Sequence, residues 1–281
     1  MKGKMSKKRK IFLGVWLGLI ILILAAIFLV GFPAGENSES IKDVMKDGVL
    51  HEHHKVSLFG LEVNPSIYSA FTVTGVLLLA AAILRIFVIP KFKYVPGKFQ
   101  SVIEKGVEFF SDMASASVHK GRKFASAYIF SAGIYVAVST LFELFGVQAN
   151  TTHGQIIPLP APLADINAAI AMGVTSFLVI LGAGIVTNGL RGAGRVLKDF
   201  SLPISMSFRL FGALLSGLLV TELVYYYIPL SFGLPVIVGI LFTLLHALIQ
   251  AYVLTTLVSI FFGEATETKI KPIKEKKVKI K

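Results

Sequence analysis

The chain has 281 residues, 54% of them hydrophobic and only 16% charged, against about 25% charged in an average soluble domain; its mean hydropathy is +0.75. That composition is of a polytopic membrane protein rather than a soluble domain, and the absence of cysteine excludes disulfides, haem attachment and thiolate metal sites. The net charge of +12 is not a nucleic-acid signature, because the basic residues fall in short loops and tails between apolar runs, where they orient membrane spans.

Crossing a bilayer takes about 20 apolar residues. Six stretches qualify, at roughly 11–32, 67–90, 124–147, 164–190, 202–228 and 233–263, and the fold expected is all-α with about six transmembrane helices. The tail "MKGKMSKKRK" is basic. The span behind it is longer than the 7–15-residue core of a signal peptide, so residues 1–33 read as a membrane anchor, with a cleaved signal as the other reading. Residues 34–66 hold more acids than lysines and form a loop. Its "HEHH" (51–54) has a spacing that suits no standard metal site and reads as solvated loop.

The segment 91–123 is basic again. Within it, 98–118 spaces its apolar residues helically and carries charge, which predicts an amphipathic surface helix. Arg85, five residues before Pro90, is placed to snorkel to the interface. The loop 148–163 has no Lys or Arg, 191–198 has Arg191, Arg195 and Lys198, the turn near Pro229 has none, and the tail 265–281 is basic. Basic and non-basic segments alternate throughout, which puts both termini in the cytoplasm. "GLRGAGR" is glycine-rich but matches no phosphate-binding pattern and reads as a flexible turn. No P-loop is present, so no nucleotide site is expected.

The last two stretches are about 27 and 31 residues long. At 1.5 Å per residue each reaches roughly 40 Å or more, beyond a ~30 Å hydrocarbon core, so both must tilt. The Pro-bounded turn "PLSFGLP" joins them as an antiparallel hairpin. Counted from its centre, Arg209 comes level with Gln250, and Glu222 with His246, to within about one and a half turns. Around Arg209 the helical neighbours Gly212, Ala213, Ser216 and Gly217 are all small, which lets another membrane helix approach. An arginine inside a span costs roughly 3 kcal/mol and is a functional residue by default. Glu143, Asp165 and Asn167 are further polar groups at span ends, where Asp165 and Asn167 either cap a helix or line an aqueous path.

Five stretches in order, "YVPGKFQSVIE", "STLFELFG", "PLADINAAIAM", "SFRLFG" and "QAYV", resemble subunit a of the F-type ATP synthase membrane sector, over most of the chain from residue 67 onward. The resemblance implies a core at 67–264 and a cytoplasmic tail at 265–281, in the plasma membrane of a bacterium. It implies that Arg209 is the essential arginine facing a ring of c subunits, that Gly212, Ala213, Ser216 and Gly217 face the same ring, and that the tilted hairpin lies against it. Two half-channels would carry protons or sodium ions to and from the ring carboxylates, with Gln250, Glu222, His246, Glu143, Asp165 and Asn167 as half-channel candidates. Partners implied are the c ring, the peripheral-stalk b subunits, other ATP synthase subunits and lipid, with no nucleic acid, cofactor or metal.

The chain departs from the best-known bacterial pattern. Ala213 stands where an Asn is common, Leu218 where an acid is, Thr243 where a His is, and Arg195 where a carboxylate is. Glu222 and His246 lie one turn on, along the same faces, and are read as replacements in the outward half-channel. Two rival readings are an autonomous transporter whose Arg209 binds an anionic substrate and a membrane scaffold indifferent to Arg209.

Overall fold

The computed structural model describes residues 56–58, 61–118, 121–150, 156–226 and 234–267, together with Gly18, Ile21 and Lys42. Most of the stretch 11–32, the histidines of 51–54, the turn around Pro229 and the tail from 268 lie outside the described residues. The other five apolar stretches are all helices long and apolar enough to cross a membrane: Pro65–Lys91, Arg122–Phe145, Ile166–Asn188, Ser201–Thr221 and Val236–Thr266. The protein is an all-α polytopic membrane protein.

The described elements are β1 (Val56–Leu58), β2 (Leu61–Val63), α1 (Pro65–Ile83), α2 (Lys98–Ser117), α3 (Arg122–Leu141), β3 (Gln148–Asn150), β4 (Ile156–Pro158), α4 (Ile166–Asn188), α5 (Leu190–Lys198), α6 (Ser201–Tyr226) and α7 (Leu234–Thr266). β1 pairs with β2 and β3 with β4, each antiparallel. Both small hairpins precede a helix start on one side of the bundle, called here the hairpin end. α2 and α5 mark the opposite, α5 end. The hairpin-end segments 56–66 and 143–165 contain no Lys or Arg, whereas the α5 end carries Lys91, Lys93, Lys98, Arg122, Lys123, Arg191, Arg195 and Lys198.

Helix α7 is the centre of the bundle. It packs against α3, α4, α6 and α2, and α4 packs against α6. The core is built from small and branched residues on the inward stripes, among them Ala125, Ile129 and Val136 of α3, Phe177 and Ile180 of α4, Met206 and Leu210 of α6, and Leu254, Val258 and Phe262 of α7. Close contact replaces hydrophobic drive inside lipid. At Gly173 a Cβ would meet Ser207 Oγ and the Pro203 carbonyl, so α4 and α6 touch backbone to backbone there.

The amphipathic segment forms α2, with Ala114 buried and Ser259 Oγ of α7 donating to the Met113 carbonyl at 2.8 Å. The stretch "GLRGAGR" is not a turn. After Gly189, at φ 60°, it forms α5, because Gly192 presses on Gly184 where a Cβ would strike the carbonyl. The glycines make that helix-to-helix contact feasible rather than making the segment flexible. α1 is buried only near its start, at Pro65, Ser66, Ser69 and Val73. Beyond them it leaves the bundle and ends in a π-helical turn, Leu84–Val88, that carries the exposed Arg85, followed by Pro90.

Backbone and side-chain polar groups in a span have no water to bond. The hydroxyls of Ser69, Thr140, Ser207, Thr255 and Thr266 accordingly donate to the carbonyl four residues earlier. Among the described residues two buried side-chain atoms have no partner, Ser139 Oγ and Gln250 Oε1.

Candidate functional site

Three polar loci are set into this apolar frame, and the first lies on the α6–α7 pair. Arg209 is exposed, and among the described residues it has no hydrogen-bond or ion-pair partner. Nothing lies within 4 Å of a Cβ built on Gly212, so that flank of the arginine is open. Ala213 is half-buried and Ser216 exposed, with the Ser216 hydroxyl donating to the Ala213 carbonyl at 2.8 Å. Gly217, grouped with these by spacing, turns elsewhere. It is buried, and a Cβ there would come 3.3 Å from His246 Nδ1. Its missing side chain makes room for the imidazole within the hairpin.

That contact sets the register of α6 against α7. With Gly217 facing His246, Ala213 comes level with Gln250, and Arg209 lies one turn further toward the α5 end, roughly 6 Å along the axis. That offset agrees with the count along the chain, and among the described residues no hydrogen bond joins Arg209 to Gln250. Gln250 is 6% exposed and its Oε1 is left without a partner. The half-buried His246 meets Gly217 and, edge-on, the ring of Phe242 at 5.7 Å. The backbone of Glu222 belongs to α6; its side chain lies outside the described residues.

The second locus joins two helix starts at the hairpin end. Asp165 caps α4, its Oδ1 accepting from Asn167 N–H at 2.7 Å. Asn64 caps α1, its Oδ1 accepting from Ser66 N–H at 3.1 Å. Asn64 Nδ2 then donates to Asp165 Oδ2 at 2.7 Å, so each cap holds the other. The carboxylate favours both the bonded N–H groups and the positive end of the helix dipole. A cavity of about 360 Å³ opens beside this pair, lined by Asn64, Asp165, Asn167 and Thr74 over Ile67 and Phe71. Capping and lining a cavity are thus compatible roles for Asp165. Asn64 was not singled out on the sequence, although an Asn-Pro step ahead of an apolar run is a helix-start signal. Glu143 sits apart, half-buried in the 3-10 turn Phe142–Phe145, its carboxylate without a partner among the described residues.

Asp165→Ala is expected to lower stability by about 0.5–2 kcal/mol, the range of a lost cap, read as a lower Tm in detergent. Asn64→Ala in the same background should add less than it costs alone, because both substitutions break one shared bond.

The third locus closes the α5 end. Arg195 Nη1 donates to the Glu264 and Glu267 carbonyls at 3.1 and 2.8 Å. Asn188 Nδ2 donates to those of Ala265 and Glu267 at 2.9 and 3.2 Å. A cation and an amide from α4 and α5 thus satisfy the free carbonyls of α7 and face the negative end of its dipole.

Residues 69–263, about two thirds of the chain, match the family model described as ATP synthase A chain. The matched stretch takes in Arg209, Gln250, His246, Glu222, Glu143, Asp165 and Asn167, and stops short of the carbonyl acceptors at the end of α7.

Proposed function

We propose, from the premise that this chain belongs to the ATP synthase A chain family, that it is the ion-translocating stator subunit of a rotary ATP synthase. Membership already makes it a membrane subunit of that complex. The finer reading assigns it two half-channels and the arginine that separates them. The observation that carries it is Arg209: a charge inside an apolar helix, exposed, with no partner in its own chain among the described residues, beside the open flank of Gly212. Such a charge is costly in lipid unless it is compensated, and a membrane-embedded carboxylate on a c-subunit ring would compensate it.

The mechanism follows from elementary electrostatics. Guanidinium stays protonated at any accessible pH. When a loaded carboxylate of the ring comes near, the cation favours its ionised form and the bound ion leaves. The same positive charge repels a free cation, so ions do not pass from one half-channel to the other without rotation. Taking the basic α5 end as cytoplasmic, both termini are cytoplasmic and the hairpin end faces outward, in the plasma membrane of a bacterium. Glu143, Asp165, Asn167, Glu222, His246 and Gln250 all lie from the level of Arg209 outward, as an outer half-channel requires. The remaining contacts of the stator, with peripheral-stalk b subunits, fall to surfaces away from the arginine.

Reconstitution tests the reading. The purified chain alone in liposomes should carry no proton or sodium flux under an imposed membrane potential, while the complete complex in the same lipid should pump on ATP addition. Flux through the chain alone makes it an autonomous transporter instead.

A further inference from the structure

The cavity of about 360 Å³ beside the double cap is a groove with two unlike ends. At the level of the helix starts it is polar, lined by Asn64, Asp165 and Asn167. Below them it is lined by Ile67, Ala70, Phe71 and Thr74 of α1. These four are spaced at i, i+3, i+4 and i+7, so they form one face of the helix. Much of that face is uncovered by protein, with Phe71 67% and Ile67 39% exposed. From Asn64 to Thr74 is about 15 Å along the axis, half of a ~30 Å hydrocarbon core. The groove is thus one leaflet deep, polar where headgroups lie and apolar where acyl chains lie.

We propose that this groove binds one aminophospholipid of the leaflet at the hairpin end, its ammonium on Asp165 and an acyl chain along α1. This goes beyond the stator reading and needs only that the chain spans the membrane.

The charges favour an amine. Asp165 accepts from the Asn167 N–H and from Asn64 Nδ2, which uses about half of the acceptor sites of a carboxylate. Both donors are neutral. The segments 56–66 and 143–165 that form this end contain no Lys or Arg, and among the described residues no cation pairs with Asp165. A primary ammonium supplies both the missing charge and further donors, in charge-assisted bonds. The side-chain amide of Asn167 is exposed and has no partner among the described residues, so it is free to donate to a phosphate oxygen of the same headgroup. A lipid with an anionic headgroup and no amine would bring only like charge to Asp165.

The test uses the full chain, purified and delipidated in detergent, with dioleoyl phosphatidylethanolamine or dioleoyl phosphatidylglycerol added back. The chain's net charge of +12 draws it to the anionic lipid in general, so a gain that needs the amine reports this groove. Phosphatidylethanolamine is expected to raise Tm by roughly 3–6 °C, the shift given by a ligand at about ten times its Kd. That rise should vanish in Asp165→Asn, which removes the charge. It should vanish separately in Thr74→Trp, which fills the groove and leaves both caps intact. The response to phosphatidylglycerol should stay in both variants. Comparing lipids within one variant cancels any change in its basal stability. Octylamine, an ammonium with no phosphate and one short chain, should give no such rise. The proposal is overturned if wild type shows no rise, if either variant keeps it, or if octylamine matches the lipid. None of these outcomes touches the coupling test of Arg209, so the stator reading stands or falls separately.

Discussion

ATP-driven pumping in membrane vesicles is expected to fall at least about a hundredfold on Arg209→Ala, because α6 and α7 contain no other Lys or Arg to discharge a passing carboxylate. Stability should not fall with it. Arg209 bonds to nothing among the described residues, and its removal relieves roughly 3 kcal/mol of charge burial in lipid. The variant should therefore assemble, hydrolyse ATP and fail to couple. Passive ion leak should rise, since the barrier between the two paths goes with the charge. Arg209→Lys keeps a cation but loses the planar donor array and the guarantee of protonation, and should restore only a fraction of the rate. Coupled pumping at wild-type rate in Arg209→Ala would overturn the proposed function.

Gln250→Leu separates activity from stability in the same way but for a different reason. The buried Oε1 has no partner among the described residues, and an unsatisfied buried acceptor costs about 1–3 kcal/mol. Leucine has a similar volume and no such cost, so the Tm in detergent should hold or rise. Pumping should drop roughly tenfold, because the amide is a polar group set one turn outward of Arg209 on α7, where it can pass an ion or water along the outer path. A Tm that falls together with pumping would make Gln250 a packing residue; unchanged pumping would remove it from the path.

The parts of this structure that were legible in the sequence are those written locally. Span lengths, the amphipathic spacing of α2 and the Asp165 cap each depend on residues within a turn or two of one another. The register of the last hairpin was legible to within a turn. Counting from the turn puts Arg209 and Gln250 within about one and a half turns, and the contact of Gly217 with His246 agrees, setting them one turn apart; that they are unbonded is not legible from counting. The stretch "GLRGAGR" misled because glycine signals flexibility in isolation, and only the facing Gly184 reveals that its role is closeness. Nothing local could reveal that Arg195 and Asn188 cap α7. Their acceptors are backbone carbonyls some 70 to 80 residues away, and a carbonyl has no letter in the sequence.

The face around Arg209 has one hand and no fingers. Gly212 presents no side chain, and the hydroxyl of Ser216 is already given to its own backbone. On the proposed function, a rotor passing this surface meets a single charge on α6, flanked by the exposed apolar side chains of Ile204 and Phe208. The number of halts in a revolution is then the number of carboxylates on the rotor, whatever the stator's own sequence elsewhere. On that reading, gearing between ions carried and turns completed is left to the partner, and this chain supplies the stop and the paths that lead to it.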